Sequence, residues 1–408
     1  MLTYDEALER ILDAAGDPLS AERVPLGEAR GRALAERVLA TEDLPPFDNS
    51  AVDGYVVRPE DTRDARPDNP ARLTYRGDDD QTAGSKPSLT PVGPNAAVYV
   101  ATGAPVPPGT EAIVMVEDTA EADGQRLLVS APGSSRYIRR AGSDVRRGEV
   151  VAEPGTVVDA GLTGLLAALG MTTVPVSARP RVGILTTGDE VVPASATTLE
   201  PGRIRNSNGP ALEAAVWDAG ATVAAHVHAA DTPEATRDAV LALAGCFDVI
   251  VSTGGVSMGK HDYVKAVVEE VGALDFWRIA IKPGKPLAFG RVGGALFVGL
   301  PGNPVSSLVT FELFVRPVLR RLAGHADVVR PRAVATLTDD LPHTPGRREF
   351  VRARVEWRAS DGVCLAAPTG AQGSHRLSSM VGANALLVAH EDHGDYRAGE
   401  SLPALLLV

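Results

Sequence analysis

A chain of 408 residues exceeds what one hydrophobic core supports, so several compact units are expected. Its mean hydropathy is near zero with 44% hydrophobic residues, and no run approaches the roughly 18 apolar residues of a membrane helix, so a membrane-spanning protein is not expected. With 52 acidic against 40 basic residues and a net charge of -12, general attraction to nucleic acid or anionic lipid is disfavoured, and any anionic ligand must meet a local basic site.

In chain order, residues 1–9 carry acidic groups and no basic cluster ahead of an apolar stretch, so no secretory signal is expected and the cytoplasm is the default compartment. Thr3 and Glu6 form a capping-box pair, and Ala7, Leu8, Ile11, Leu12 and Ala15 recur at helical spacing, which predicts a helix over residues 3–15 ended by Gly16. A second helix is predicted over about residues 26–39. Pro45 and Pro46 then stop any helix and place a boundary near Asp43. From there to about Arg136 the chain is rich in Gly, Pro and Asp, with short apolar runs at 97–100 and 112–116, the pattern of a small β-rich domain. Residues 159–169 read as a further helix, with Leu162, Leu165, Leu166 and Leu169 on one stripe.

From Arg181 strands and helices alternate. Apolar runs at 182–185, 222–227, 247–251 and 296–298 predict strands, and helices are predicted at about 210–219, 233–243, 262–271 and 305–322. This alternation predicts an α/β domain with a doubly wound, mostly parallel sheet covered on both faces, and ligands held beyond the carboxyl ends of its strands. After Gly324, alternating stretches at 333–337 and 350–357 predict a terminal β domain of roughly 80 residues, a small barrel or sandwich. Cys246 and Cys364 lie far apart and outside any CxxC spacing, which fits reduced structural cysteines.

Four strand-end turns of the α/β region carry unusual polar content: Thr186-Thr187-Gly188-Asp189-Glu190, Ala230-Asp231-Thr232-Pro233, Ser252-Thr253-Gly254-Gly255 and Leu300-Pro301-Gly302-Asn303-Pro304. The strand-end rule sends all four to one crevice. The third continues as Val256-Ser257-Met258-Gly259-Lys260-His261-Asp262, where glycines ahead of a helix expose backbone N–H groups able to cradle phosphate. Asp262 either caps that helix or joins Glu190 and Asp231 as three acids suited to a divalent cation. Residues 254–260 also fit the first seven positions of a P-loop, but His261 stands where that loop needs a Ser or Thr hydroxyl for magnesium, so a nucleoside triphosphatase loop is not expected.

The chain holds only five lysines, Lys86, Lys260, Lys265, Lys282 and Lys285, and two of them fall in Ala280-Ile281-Lys282-Pro283-Gly284-Lys285-Pro286. A proline-bracketed turn with two ammonium groups suits an oxyanion or phosphate. Ser306 and Ser307 follow Pro304 at a helix start and add hydroxyl and N–H donors, although capping alone explains them too. Phe47-Asp48-Asn49-Ser50-Ala51-Val52-Asp53-Gly54-Tyr55 and Thr102-Gly103-Ala104-Pro105-Val106-Pro107-Pro108-Gly109 are polar or rigid turns whose chemistry alone stays ambiguous. His226 and His228 share one face of a strand and fit core or surface placement better than metal binding, while His390 and His393 read as solvated.

Together these segments, with Arg139-Arg140-Ala141-Gly142-Ser143-Asp144, resemble the MoeA family of molybdopterin molybdenumtransferases, in the family's order and over nearly the whole chain. The resemblance implies a homodimer of four-domain subunits: a discontinuous N-terminal dimerisation domain of residues 1–42 and 137–178, an inserted β-rich domain of 43–136, an α/β molybdopterin-binding domain of 179–326 similar to molybdopterin adenylyltransferases, and a C-terminal β-barrel domain of 327–408. It implies adenylylated molybdopterin and molybdate as substrates, magnesium as cofactor, and molybdenum cofactor and AMP as products. The adenylyltransferase and cofactor-accepting molybdoenzymes are the implied protein partners. Asp53, Thr102 and Asp144 match catalytic positions on the insertion side. Glu190, Asp231 and Asp262 match acids of the pterin and metal side, and the resemblance implies substrate contacts from Thr187, Gly188, Gly254, Gly255, Ser257, Pro301, Gly302, Asn303 and Pro304. Lys282, Lys285, Ser306, Arg352 and Ser374 match the molybdate neighbourhood. Val52 stands where methionine is common, and His375 stands where a small residue is usual.

Two other readings differ in class. A molybdopterin adenylyltransferase built on the similar α/β domain would consume ATP, and the additional domains argue against it. A non-catalytic scaffold of the gephyrin type would tolerate loss of Asp262, and no long linker or fused second domain supports it.

Overall fold

A computed structural model describes residues 1–122, 125–256 and 263–407. The chain divides into two compact units, one of Met1–Glu36, Pro154–Asp159 and Thr173–Val408, the other of Arg37–Glu153 and Ala160–Thr172.

The first unit begins with the helix Tyr4–Ala15, set by reciprocal hydrogen bonds: the Thr3 N–H donates to Glu6 Oε2 at 2.8 Å and the Glu6 N–H to Thr3 Oγ1 at 3.3 Å. Its apolar face buries Tyr4, Ala7, Ile11 and Ala15, with the Tyr4 ring edge-on to Phe314 and Phe350 at 5.6 and 5.2 Å. Residues 26–39 are not helical as predicted. A 3₁₀ turn at Leu26–Glu28 gives way to extended chain ending in the strand Val38–Leu39. Gly31 takes φ 77°, and the N–H groups of Gly31 and Leu34 donate to the carbonyls of Val158 and Thr156. Backbone partners from a distant segment here override a favourable helix composition.

At the centre of this unit stands a six-stranded sheet in the order Thr222–Ala229, Arg181–Thr187, Val249–Thr253, Ala295–Leu300, Ala288–Val292, Ala273–Trp277. The first four strands run parallel, as predicted; Ala288–Val292 pairs antiparallel with Ala295–Leu300, and Ala273–Trp277 pairs antiparallel with Ala288–Val292. Alternate side chains of the parallel strands enter two cores. Val182, Ile184, Val251 and Val298 pack with Leu212, Val216 and Ile11 on one face, while Leu185, Ile250 and Phe297 pack with Val240, Leu243, Val264 and Val268 on the other. Helices Asn208–Asp218 and Pro304–Thr310 cover the first face, and Pro233–Ala244 and Tyr263–Val271 the second. The long helix predicted over 305–322 continues from Pro304–Thr310 through a π-helical turn, Phe311–Val315, into Arg316–Leu322.

Beyond it, Arg348–Trp357, Cys364–Pro368, Arg332–Leu337, Ser401–Leu406 and Ala385–Ala389 pair in that order, and the last pairs back to the first to close a small barrel. Closure leaves no free edge among these five strands except at their ends. The short strand Ile281–Lys282 adds alongside the barrel in parallel with Arg348 and Glu349.

The second unit holds a six-stranded sheet in the order Ala112–Met115, Gly54–Val57, Ala96–Val100, Ala71–Tyr75, Arg126–Val129, Thr119–Ala122. Tyr55, Leu73, Val114 and Leu127 form one core on it, and Val56, Val100 and Ile113 another. Among the described residues no helix is long and apolar enough to cross a membrane.

His325, after the last turn of Arg316–Leu322, is 5% exposed. Burial first, then the positive charges of Arg320 and Arg316, pull its pKa down to about 4. The neutral ring is the folded form, so its contribution is complete above the unfolded value near 6.5 and is lost as pH falls toward 4. We expect about 3 kcal/mol of folding stability to disappear across that window, and a smaller loss in His325→Gln. Denaturant midpoints of both proteins at pH 7 and pH 4 measure the difference.

Candidate active site

The carboxyl ends of the parallel strands open onto a cavity of about 630 Å³. Its wall takes Thr187, Gly188 and Glu190 from the first strand-end turn, Asp231 from the second, Gly254 and Gly255 from the third, and Gly302, Asn303 and Pro304 from the fourth. The strand-end expectation therefore brings these residues to one place.

Two hydrogen-bond clamps hold the turns. Asp189 and Asp231 exchange bonds, each backbone N–H donating to the other's carboxylate at 3.1 Å, which fixes Asp231 on the cavity wall. Thr253 Oγ1 is the second clamp: it accepts from Asn208 Nδ2 at 2.9 Å and donates to the Pro301 carbonyl at 3.2 Å, while Asn208 also donates to the Gly302 carbonyl at 2.8 Å. Thr253 is 2% exposed, so its polar atom is satisfied inside the protein.

Glycine is required at three points of the wall. Gly188 has φ 126°, and a Cβ there would lie 2.9 Å from Glu190 Oε2. At Gly254 (φ 92°) a Cβ would come within 2.8 Å of Thr187 Oγ1, and at Gly255 (φ 67°) within 2.5 Å of Val264 Cγ2.

The barrel contributes through one loop. Asn303 Nδ2 donates to Ser374 Oγ at 3.1 Å and the Val305 N–H to the Ser374 carbonyl at 3.1 Å, seating this loop on the start of Pro304–Thr310 and carrying His375 to the cavity wall. Arg352 is fully buried, its Nε donating to Ser379 Oγ at 3.2 Å, and burial lowers its pKa from the usual guanidinium value. Ser306 is also buried, on Pro304–Thr310.

Lys282 and Lys285 are exposed on their turn and are not part of the cavity lining. Gly284 between them has φ 113°, and Thr310 Cγ2 fills the place of its missing Cβ, so the turn packs tightly on the Pro304–Thr310 helix. Asp53, Thr102 and Asp144 belong to the second unit, where the Thr102 N–H donates to Asp53 Oδ1 at 2.7 Å and Asp144 is exposed. Ser257 and Asp262, like Lys260 and His261, lie outside the described residues. Among the described residues, no group of three or more His, Cys, Asp or Glu side chains gathers as a metal site.

Arg205, Asn206, Asn208 and His375 also line the cavity and were not singled out as ligand contacts from sequence. The run Asn206-Ser207-Asn208-Gly209-Pro210 at the start of a helix was the available signal for the two asparagines. His226 and His228 lie 3.3 and 3.1 Å from Thr186 Oγ1, and His226 pairs with Glu213 at 2.7 Å, so both belong to a hydrogen-bond network.

Comparison with known proteins agrees along the chain. Residues 2–170 match the MoeA N-terminal region (domain I and II), residues 183–321 a probable molybdopterin binding domain, and residues 334–407 the MoeA C-terminal region (domain IV). Molybdopterin molybdenumtransferase 2 of Mycobacterium tuberculosis H37Rv is 40% identical over 385 residues, covering 93% of each chain. Molybdopterin molybdenumtransferase of Haemophilus influenzae is 36% identical over 406 residues, covering 98% of each. Among solved structures, the molybdopterin biosynthesis MoeA protein of Pyrococcus horikoshii OT3 superposes with a TM-score of 0.86 at 32% identity and covers 100% of both chains.

The clamp at Thr253 has a measurable consequence. Asn208→Ala removes the donor to Thr253 and to the Gly302 carbonyl, and we expect it to lower stability by about 1–3 kcal/mol and to speed amide exchange at Gly302 and Asn303. Urea denaturation with hydrogen exchange checks both; unchanged exchange at the turn would mean that the clamp does not hold it.

Proposed function

The chain belongs to the MoeA family of molybdopterin molybdenumtransferases, and on that premise we propose that it inserts molybdate into adenylylated molybdopterin with release of AMP, in a magnesium-dependent step of molybdenum cofactor biosynthesis. The observation that carries this reading is the strand-end cavity, where two carboxylates and positive-φ glycine turns face one polar space.

The donor set suits magnesium. This ion binds through one or two carboxylates and fills the rest of its octahedron with phosphate oxygens and water, so it does not need a cage of three protein ligands. Glu190 and Asp231 would hold it, with Asp262 the third candidate, and it would supply charge neutralisation beside the departing AMP phosphate. Thr187, Gly188, Gly254, Gly255, Ser257 and the 301–304 turn bind the pterin phosphate and its adenylyl group, with main-chain N–H donors from residues such as Gly188, Gly255 and Gly302, since Pro301 and Pro304 have none.

Lys282, Lys285, Ser306, Arg352 and Ser374 serve molybdate in this reading. A dianion needs positive charge and hydroxyl donors, and the support is that the two lysines share a turn packed on the same helix whose start carries the Ser374 loop. Asp53, Thr102 and Asp144 act on the same substrates in a homodimer, within the four-domain division that the family resemblance implies. The adenylyltransferase that makes the substrate and the enzymes that receive the cofactor are the proposed protein partners.

Purified protein supplied with adenylylated molybdopterin should release AMP only when molybdate and magnesium are both present. Consumption of ATP with unmodified molybdopterin would instead establish the adenylyltransferase reading. Asp231→Asn keeps an acceptor for the Asp189 N–H and removes the charge, and we expect it to slow AMP release roughly 10- to 100-fold, the equivalent of about 1.5–3 kcal/mol. Mixing Asp231→Asn with Asp53→Ala tests the dimer, since shared action across subunits restores part of the activity that each variant lacks alone.

A further inference from the structure

The barrel strand Arg348–Trp357 carries a buried acid, Glu349, which is 4% exposed. Parallel pairing of Ile281–Lys282 with Arg348 and Glu349 sets Lys282 opposite it, and Lys282 Nζ lies 3.0 Å from Oε1 and 3.1 Å from Oε2. On its other side Glu349 Oε2 lies 3.0 Å from Nδ1 of His343, whose side chain is 1% exposed. His343 Nε2 in turn lies 3.0 Å from the backbone carbonyl oxygen of His390.

Proton counting follows from these contacts. A carbonyl oxygen only accepts, so His343 Nε2 must carry a hydrogen. Nδ1 then faces a carboxyl oxygen in one of two ways. Either Nδ1 also carries a hydrogen and an imidazolium donates to a carboxylate, or Glu349 is the carboxylic acid and donates its O–H to a bare Nδ1. Both forms hold the same number of protons, one more than a neutral imidazole beside a carboxylate. That third state would set two lone pairs against each other in a buried place, where an unmade hydrogen bond costs about 1–3 kcal/mol. The other neutral tautomer fails in the same way at the His390 carbonyl.

We propose that His343 and Glu349 share one bound proton, so that the trio with Lys282 keeps the full positive charge of the lysine, and that His343 is a positioning residue for the Lys282 ammonium in oxyanion binding. The arithmetic is that Lys282 contributes +1 and the proton-sharing pair contributes nothing, giving +1. Without that proton the Glu349 carboxylate would cancel Lys282, and the turn would offer a dianion only Lys285. The assignment of molybdate to this turn rests on the function proposed above; the proton count does not.

Other charged and titratable groups face the pair. The Asp395 carboxylate accepts the His343 backbone N–H at 2.9 Å. Buried Arg352, on the same strand, interacts electrostatically with Glu349, and Lys282 pairs with it directly. The Tyr396 ring lies 6.2 Å from the imidazole, and Arg348, next to Glu349, is engaged by Glu391 at 2.8 Å and by Asp5 at 2.7 Å.

Full-length protein with ¹⁵N-labelled histidine tests the proton without any substitution. Near pH 7, the expected spectrum shows His343 either doubly protonated or hydrogen-bonded at Nδ1 to an acid proton. A neutral His343 beside an ionised Glu349 would overturn the proposal. Calorimetry with molybdate alone, and with sulfate as an unreactive dianion, tests the consequence. His343→Gln cannot supply the proton and should weaken both anions roughly tenfold, about one pK unit of lost electrostatic support. His343→Lys, which restores a cation, and His343→Gln with Glu349→Gln, which removes the acid, should both recover most of that affinity. Equal anion binding by folded His343→Gln and wild type would sink the positioning role. AMP release separates the two ideas: a shared proton in a protein that never releases AMP overturns the proposed function and not the proton, and the converse result does the reverse.

Discussion

A parallel sheet has to bury both of its faces, and most of the first unit follows from that requirement. Helices on either side take up the apolar surface of Val182, Ile184 and Val251 on one face and of Leu185, Ile250 and Phe297 on the other. What they cannot cover is the row of strand ends, where each chain turns out of the sheet before entering a helix. Polar groups gather there because the backbone leaves its ladder and needs new partners. The Asp189–Asp231 exchange and the Thr253 hydroxyl meet that need, and the same bonds pull separate turns around one cavity. Architecture and site are thus two results of one burial problem.

How far the sequence showed this depends on the range of the interactions. The capping box of Thr3 and Glu6 is local, and the helix stands where it predicts. The β-branched runs of the parallel strands are local as well, and all four predicted strands are present. Residues 26–39 have helix-forming composition, yet their backbone pairs with residues far along the chain, a choice that no local window records. The antiparallel strands Ala273–Trp277 and Ala288–Val292 lack a local signal for a related reason: Gly290 interrupts the apolar pattern of the second, and glycine is needed there because a Cβ would collide with the Ala273 carbonyl of the first.

The site divides along the same line. Glycine-rich turns announce themselves, because positive φ and close approach demand glycine whatever the rest of the fold does. Scarcity of lysine drew notice to Lys282 and Lys285, but nothing near them in sequence reveals that Glu349, 67 residues on, holds the first of them. His375 reaches the cavity only because Ser374, on a barrel loop, docks on the start of Pro304–Thr310, so its position is a tertiary fact.

The three constrained glycines carry an evolutionary implication. Where Gly188, Gly254 and Gly255 form the wall, the lining is main chain, and any side chain placed there would meet a neighbour or demand an unfavourable backbone. Such a surface has little to mutate. Drift in ligand preference is therefore channelled into the lining positions that do project side chains, Arg205 and His375 among them, and away from these three glycines.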